Sequence, residues 1–128
     1  MINTYLHKTN LNLNFFFIFV DQTIKNKKQM IRHIVLFKLK SFESETLKNT
    51  KAQKIKLDLE TLPAIIPEIK LMSVGINTNP EEQFDISLLT EFASMEDLHT
   101  YAVHPKHVAV GKIIREVLES RACVDSVI

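Results

Sequence analysis

Glycine is almost missing from this sequence: its 128 residues hold two. No G-x-G-x-x-G and no P-loop can be written around Gly75 and Gly111, which excludes a glycine-built phosphate or dinucleotide cradle. Cysteine occurs once, as Cys123, and so rules out an internal disulfide framework and any multi-cysteine metal site. Tryptophan is absent and no cofactor motif is present, so no cofactor is expected. Charge is close to balanced, with 16 basic and 15 acidic residues, and no Arg/Lys stripe alternates with aromatics. Nucleic acid is therefore not an expected partner. What is present is 45% hydrophobic content in a chain of one-domain length, enough to bury a single core. An ordinary cytoplasmic domain is expected.

Residues 1–29 stand apart. They contain no Gly, Ala, Pro or Arg and are crowded with Asn, Lys, Phe and Ile, residues of A/T-rich codons. This segment is read as a non-native or disordered extension, translated from upstream sequence, with Met30 as the natural start. A rival reading is a targeting segment, because Phe15-Phe16-Phe17-Ile18-Phe19-Val20 is apolar. That run is far shorter than the roughly 20 residues a membrane span needs, and no small-x-small cleavage site follows it. No membrane partner is expected; an extra edge strand is the third alternative. Without the segment, Lys8, Lys25, Lys27, Lys28 and Asp21 are lost, leaving 12 basic against 14 acidic residues.

From residue 30 to 128 the pattern sharpens into one domain. Residues 31–40 read as a strand with His33, Val35, Phe37 and Leu39 on one face and Ile34, Leu36 and Lys38 on the other. Both faces are largely apolar, so helices are expected on one and something else, such as another subunit, on the other. Residues 44–62 read as a helix with Ala52, Ile55, Leu59 and Leu62 as its inner stripe, stopped by Pro63 and Pro67. Strands are expected at 69–78, with Gly75 marking a bulge or a close approach, and at 84–93. Ser94 caps a short helix in the manner of a capping box with Asp97, and Pro105 opens the next helix. A closing strand is expected at 122–128. This order predicts an α+β, ferredoxin-like plan: a four-stranded antiparallel sheet with helices on one face.

The most chemistry-rich stretch is Tyr101-Ala102-Val103-His104-Pro105-Lys106-His107. His33 shares its strand face with Val35 and Phe37, and His107 shares its helix face with Val110 and Ile114, so both point into the layer between sheet and helices. Tyr101 closes the stripe of the preceding helix. Two imidazoles and a phenol in an apolar layer form a site constellation, since burial tunes histidine near neutrality. The plain alternative is that these buried polar groups merely satisfy one another. Phe37, Leu88, Phe92 and His104 are the further candidates for contact with a ligand, although His104-Pro105 alone could serve to shape a helix entry. A zinc reading would use His104, His107 and His33, but no carboxylate stands at a fitting local spacing, and no metal is expected. Cys123 reads as a structural thiol without a base partner, and Asp125 as a strand-end or interface residue.

Three blocks carry a resemblance. Met30-Ile31-Arg32-His33-Ile34-Val35-Leu36-Phe37-Lys38 opens it. Phe84-Asp85-Ile86 and Phe92-Ala93-Ser94-Met95-Glu96-Asp97-Leu98 follow, and Tyr101 with His104-Pro105-x-His107 and Val124-Asp125 complete it. Together they resemble the stress-responsive dimeric α/β-barrel (Dabb) family across residues 30–128. The resemblance implies a homodimer in which two sheets pack face to face into a dimeric α/β barrel. It also implies kinship with olivetolic acid cyclase, a plant enzyme that closes a polyketide by aldol condensation without a cofactor. The catalytic histidine and tyrosine of that enzyme fall on His107 and Tyr101, and a pocket histidine falls on His33. The chain departs from the family at Ser126, where an aromatic is usual.

The expected function is binding of a small carbonyl compound in a His/Tyr pocket, with cofactor-free lyase or cyclase chemistry. In it His107 is general base, Tyr101 donates to the enolate oxygen, and His33 polarises a second carbonyl. The alternative is a non-catalytic stress-response binding or interaction protein.

Overall fold

The computed structural model describes residues 29–128. The segment expected to be an extension, 1–29, lies outside them except for Gln29. Strand β1 spans Ile31–Leu39, and its alternation is realised: Ile31, His33, Val35, Phe37 and Leu39 are buried, while the residues between them are half-buried. Helix α1 spans Glu45–Glu60. Ser44 caps it, its Oγ accepting from Leu47 N at 3.2 Å and satisfying one of the amides that a helix start leaves open. Ala52, Ile55 and Leu59 form the buried stripe, and a 3-10 turn at Leu62–Ala64 carries the chain out through Pro63.

Strands β2, Leu71–Ile76, and β3, Ile86–Phe92, form an antiparallel pair. Gly75 pairs directly with Ser87 in an unbroken register, so the expected bulge is not there. The close approach is: a Cβ at Gly75 would sit 2.9 Å from Ser87 Oγ. The shift of register lies instead between Lys38 and Leu39, opposite the last strand. Both β2 and β3 are shorter than expected, and Asp85, just before β3, serves another purpose. Its backbone bonds Phe37 O and Asn77 N, each at 2.8 Å, and its carboxylate accepts from Leu39 N at 2.7 Å. The same carboxylate meets Lys48 Nζ at 3.0 Å, tying β1 to α1.

Helices α2, Met95–Val103, and α3, Pro105–Val117, meet at His104. Ser94 Oγ accepts from Asp97 N at 3.1 Å, which is the Ser half of the expected capping box. Proline at the start of α3 forces the residue before it out of the helical region, and His104 stands at φ −62°, ψ 133°. Strand β4 then spans Leu118–Val127, four residues longer at its start than expected and joined to α3 without a loop. Leu118-Glu119-Ser120-Arg121 carries no apolar alternation, so its strand character comes from pairing with β1.

The sheet order is β2-β3-β1-β4, entirely antiparallel, and the fold is ferredoxin-like. Val35 lies opposite both Leu88 and Cys123, and His33 opposite both Thr90 and Asp125. All three helices contribute to one core with the buried face of β1: Ile55 and Leu59, Leu98 and Tyr101, and Ile114. The other sheet face carries Ile34, Leu36 and Leu89, half-buried, and Val124, exposed. Among the described residues no helix is long and apolar enough to cross a membrane.

Ile55 is fully enclosed between α1 and the sheet. Ile55→Ala is expected to cost about 2–5 kcal/mol of unfolding free energy. Urea denaturation checks this, with the midpoint falling and the slope unchanged.

Candidate functional site

Between the sheet and helix α3 lies a cavity of about 330 Å³. Its floor is apolar, with Phe37, Leu88 and Ile114, and its polar wall is made by His33, Tyr101, His107, Arg115 and Arg121. The sheet brings His33, and the proline-enforced turn at His104 folds α3 back so that Tyr101 and His107 touch. Their ring centroids are 4.2 Å apart at an interplanar angle of 46°. His33 approaches Tyr101 edge-on at 6.4 Å, and Phe92 packs behind the tyrosine at 5.0 Å.

The tyrosine is the least compensated group here. Tyr101 is 1% exposed, and its Oη has no hydrogen-bond partner among the described residues. Burial pushes the phenol up to about 12, with Arg121 pulling weakly the other way. It therefore stays protonated and is a donor without an acceptor.

His107 is set up in the opposite sense. Its Nδ1 lies 2.9 Å from Ala102 O, and a carbonyl can only accept, so Nδ1 carries the proton. The lone pair is thereby left on Nε2. Burial is the main cause that lowers the imidazole below its ordinary 6.5; His33, Arg121 and Arg115 lower it too, against the Ala102 hydrogen bond. The ring is thus neutral at physiological pH and able to take a proton.

His33 is held from strand β4. Its Nδ1 lies 2.5 Å from Asp125 Oδ1, and Cys123 Sγ stands 3.5 Å from the same nitrogen. The sequence reading of Cys123 as a thiol without a base partner is corrected here, and Asp125, read as a strand-end or interface residue, takes a place beside His33. Both are on the His33 side of the sheet because antiparallel pairing puts residue 125 opposite 33 and residue 123 opposite 35. Because thiol and carboxylate address one nitrogen, they do not form a relay through the ring. Burial, then Asp125, raises the thiol above its ordinary value against the pull of Arg121, and this disfavours the thiolate.

Among the described residues, His33, Cys123 and Asp125 are the one group with ligand atoms close enough to surround a metal. The 2.5 Å between Nδ1 and Oδ1 is a hydrogen-bond distance. Two such ligands on tetrahedral zinc stand roughly 3.3 Å apart, so the trio reads as a clamp on the imidazole. The other zinc arrangement, from His104, His107 and His33, is not assembled, since His104 Nδ1 accepts from Lys106 N at 3.1 Å as the cap of α3.

The structure thus brings together His33, Tyr101 and His107, with Phe37 and Leu88 in the floor. Phe92 and His104 do not line the cavity: Phe92 is fully enclosed behind Tyr101, and His104 is spent on the helix junction. Sequence reasoning missed Arg115, Arg121 and Asp125. A signal for Arg115 existed, as His107, Gly111 and Arg115 recur at four-residue spacing on α3. Arg121, Cys123 and Asp125 alternate on β4, but only the pairing with β1 shows which face they take.

A dimeric protein of unknown function with a ferredoxin-like fold from Bacteroides fragilis is 45% identical, with a TM-score of 0.73, over 77% of this chain and 96% of that one. The hydroxynitrile lyase of Passiflora edulis shares the fold at 22% identity and a TM-score of 0.67, over 80% of this chain and 95% of the lyase. A Dabb protein from Mesorhizobium loti is 24% identical, with a TM-score of 0.63, over 78% and 97% of the two chains. A search of curated proteins finds no match. The Dabb family, described as the stress responsive A/B barrel domain, matches residues 31–128, and to that family this chain belongs.

Proposed function

We propose that this protein binds a small carbonyl compound in the His33/Tyr101/His107 cavity and catalyses proton transfer on it, as a cofactor-free lyase or cyclase. The observation that carries the reading is the buried Tyr101 hydroxyl, a donor without a partner, in ring contact with a neutral imidazole. Burying an unsatisfied hydroxyl costs about 1–3 kcal/mol, a cost that a ligand oxygen would remove.

In this reading Nε2 of His107 takes a proton from the carbon beside the carbonyl. The electron pair moves onto the carbonyl oxygen, and Tyr101 Oη donates to the resulting enolate, which a phenol of high pKa does without losing its proton. His33 would polarise the second carbonyl, which the enolate carbon attacks, in its doubly protonated form, with Nδ1 donating to Asp125 and Nε2 to the carbonyl oxygen. His107 then returns its proton to the new alkoxide. The Passiflora lyase has lyase chemistry on this fold; the support in this chain is the site itself.

Residues 30–128 are proposed as the working domain and 1–29 as dispensable. Two copies would pair through the sheet face carrying Ile34, Leu36 and Leu89, as the dimeric state of the Bacteroides fragilis relative supports. One unpaired cysteine is in keeping with work in the cytoplasm. The second reading, a binding protein without chemistry, keeps the pocket and the dimer.

Acetophenone in heavy water separates the two. Wild-type protein is expected to speed exchange of its methyl protons, His107→Ala to lose at least about a hundredfold of that rate, and Tyr101→Phe a similar factor. Binding without exchange, seen by NMR, would leave the second reading. Because burial holds His107 below 6.5, the base form is already complete at neutral pH. Exchange should be flat from neutrality upward, with no alkaline limb until Tyr101 ionises at about 12, and should fall only once pH drops below 6.5. Leu36→Glu places a charge on the proposed contact face. Sedimentation should show a monomer with unchanged circular dichroism.

A further inference from the structure

The residues lining the cavity include two arginines, Arg115 and Arg121, both also exposed to solvent, and no acidic residue. Arg32, Lys38, Lys48, Lys54 and Lys56 have acidic partners in Glu91, Glu119, Asp85, Asp58 and Glu60, whereas Lys40, Lys51, Lys70, Lys106 and Lys112 show none among the described residues. Among the described residues, neither Arg115 nor Arg121 is ion-paired. The acid nearest the site, Asp125, is taken up by His33 Nδ1. The two arginines come from different elements, one two helical turns along α3 from His107 and one on β4 opposite Phe37. They nevertheless converge on one cavity whose floor is apolar.

From this convergence we infer that the natural ligand is a keto acid, an apolar carbonyl compound bearing a carboxylate that Arg115 and Arg121 hold while Tyr101 meets the carbonyl. The inference rests on the proposed binding reading and adds the chemical class to it. A guanidinium presents a planar fork that matches both oxygens of a carboxylate. Two forks beside low-dielectric walls focus their field into the cavity and raise the local concentration of anions. The positive field reaches the site groups, since Arg121 acts on Tyr101 and both arginines act on His107. It favours the enolate over the neutral ketone as well, so the same arginines would assist the charge that develops at Tyr101. Three attachments follow for one ligand: anion at the arginines, carbonyl at the phenol, apolar body on Phe37, Leu88 and Ile114.

The test compares benzoylpropionate with its primary amide, by calorimetry on the full chain at pH 7.5 and low salt. The two probes share shape and ketone and differ in charge. The acid is expected to bind about tenfold more tightly than the amide, with an advantage that shrinks as salt is raised. In the double variant Arg115→Gln, Arg121→Gln the ratio of acid to amide affinity should fall to about one. Equal binding of acid and amide by the unmodified protein would overturn the inference and leave the carbonyl pocket standing, and so would a preference that survives in the double variant. Failure of both probes to bind would sink the pocket reading and the inference together.

Discussion

Strand β1 is the member on which everything else hangs. From Ile31 to Phe37 each residue is paired across to β3 on one side and β4 on the other, while alternate side chains are buried under the helices. A strand bonded at both edges and covered on a face has no freedom of register, because a one-residue slip would bring Arg32, Ile34, Leu36 and Lys38 into the core. His33 is therefore placed by the same constraint that places Val35 and Phe37. Its position is a by-product of core formation, and the site inherits core-like rigidity without a dedicated scaffold.

The second component, the α2–α3 corner, works through backbone chemistry. Proline removes one donor and excludes helical geometry from the residue before it. His104 ends α2 and begins α3, and its imidazole takes the open amide of Lys106. Tyr101 and His107, which straddle this corner, meet although six positions separate them. Ala102 O, at the end of α2, is left free to accept from His107 Nδ1. A carbonyl that a helix end leaves open thus selects the tautomer of the base.

Much of this was legible in the sequence, for local reasons. Alternation in β1 and three-and-four spacing in the helices mark His33, Tyr101 and His107 as inward-facing, and Pro105 marks the corner. The order of elements leads to the ferredoxin-like sheet that the structure displays. What was not legible depends on pairing between segments some ninety residues apart. Asp125 and Cys123 belong to His33 only through the register of β4 on β1, and nothing local to either announces it. The start of β4 was hidden likewise, since Glu119 and Ser120 have no strand preference of their own and are recruited by Lys38, whose ammonium meets Glu119 at 3.3 Å. Phe92 shows the converse. Its alternation places it inward correctly, but inward-facing and cavity-facing are different things, and Tyr101 stands between it and the space.

The direct passage from α3 into β4, with Val117 ending the helix and Leu118 beginning the strand, has a mechanical consequence. A linker would let the helix swing while the sheet stayed still. Here Lys40 N is bonded to Val117 O at 2.8 Å, so the helix end is riveted to the central strand at the point where it becomes sheet. Turning α3 would shear the β1–β4 ladder, and His107 and Arg121 behave as two points on one stiff bracket. The enclosure is accordingly not one that breathes by hinge motion along this side. A ligand bound as proposed would pass the long, jointed side chains of Arg115 and Arg121, since exposed side chains reorient in nanoseconds while packed walls hold still.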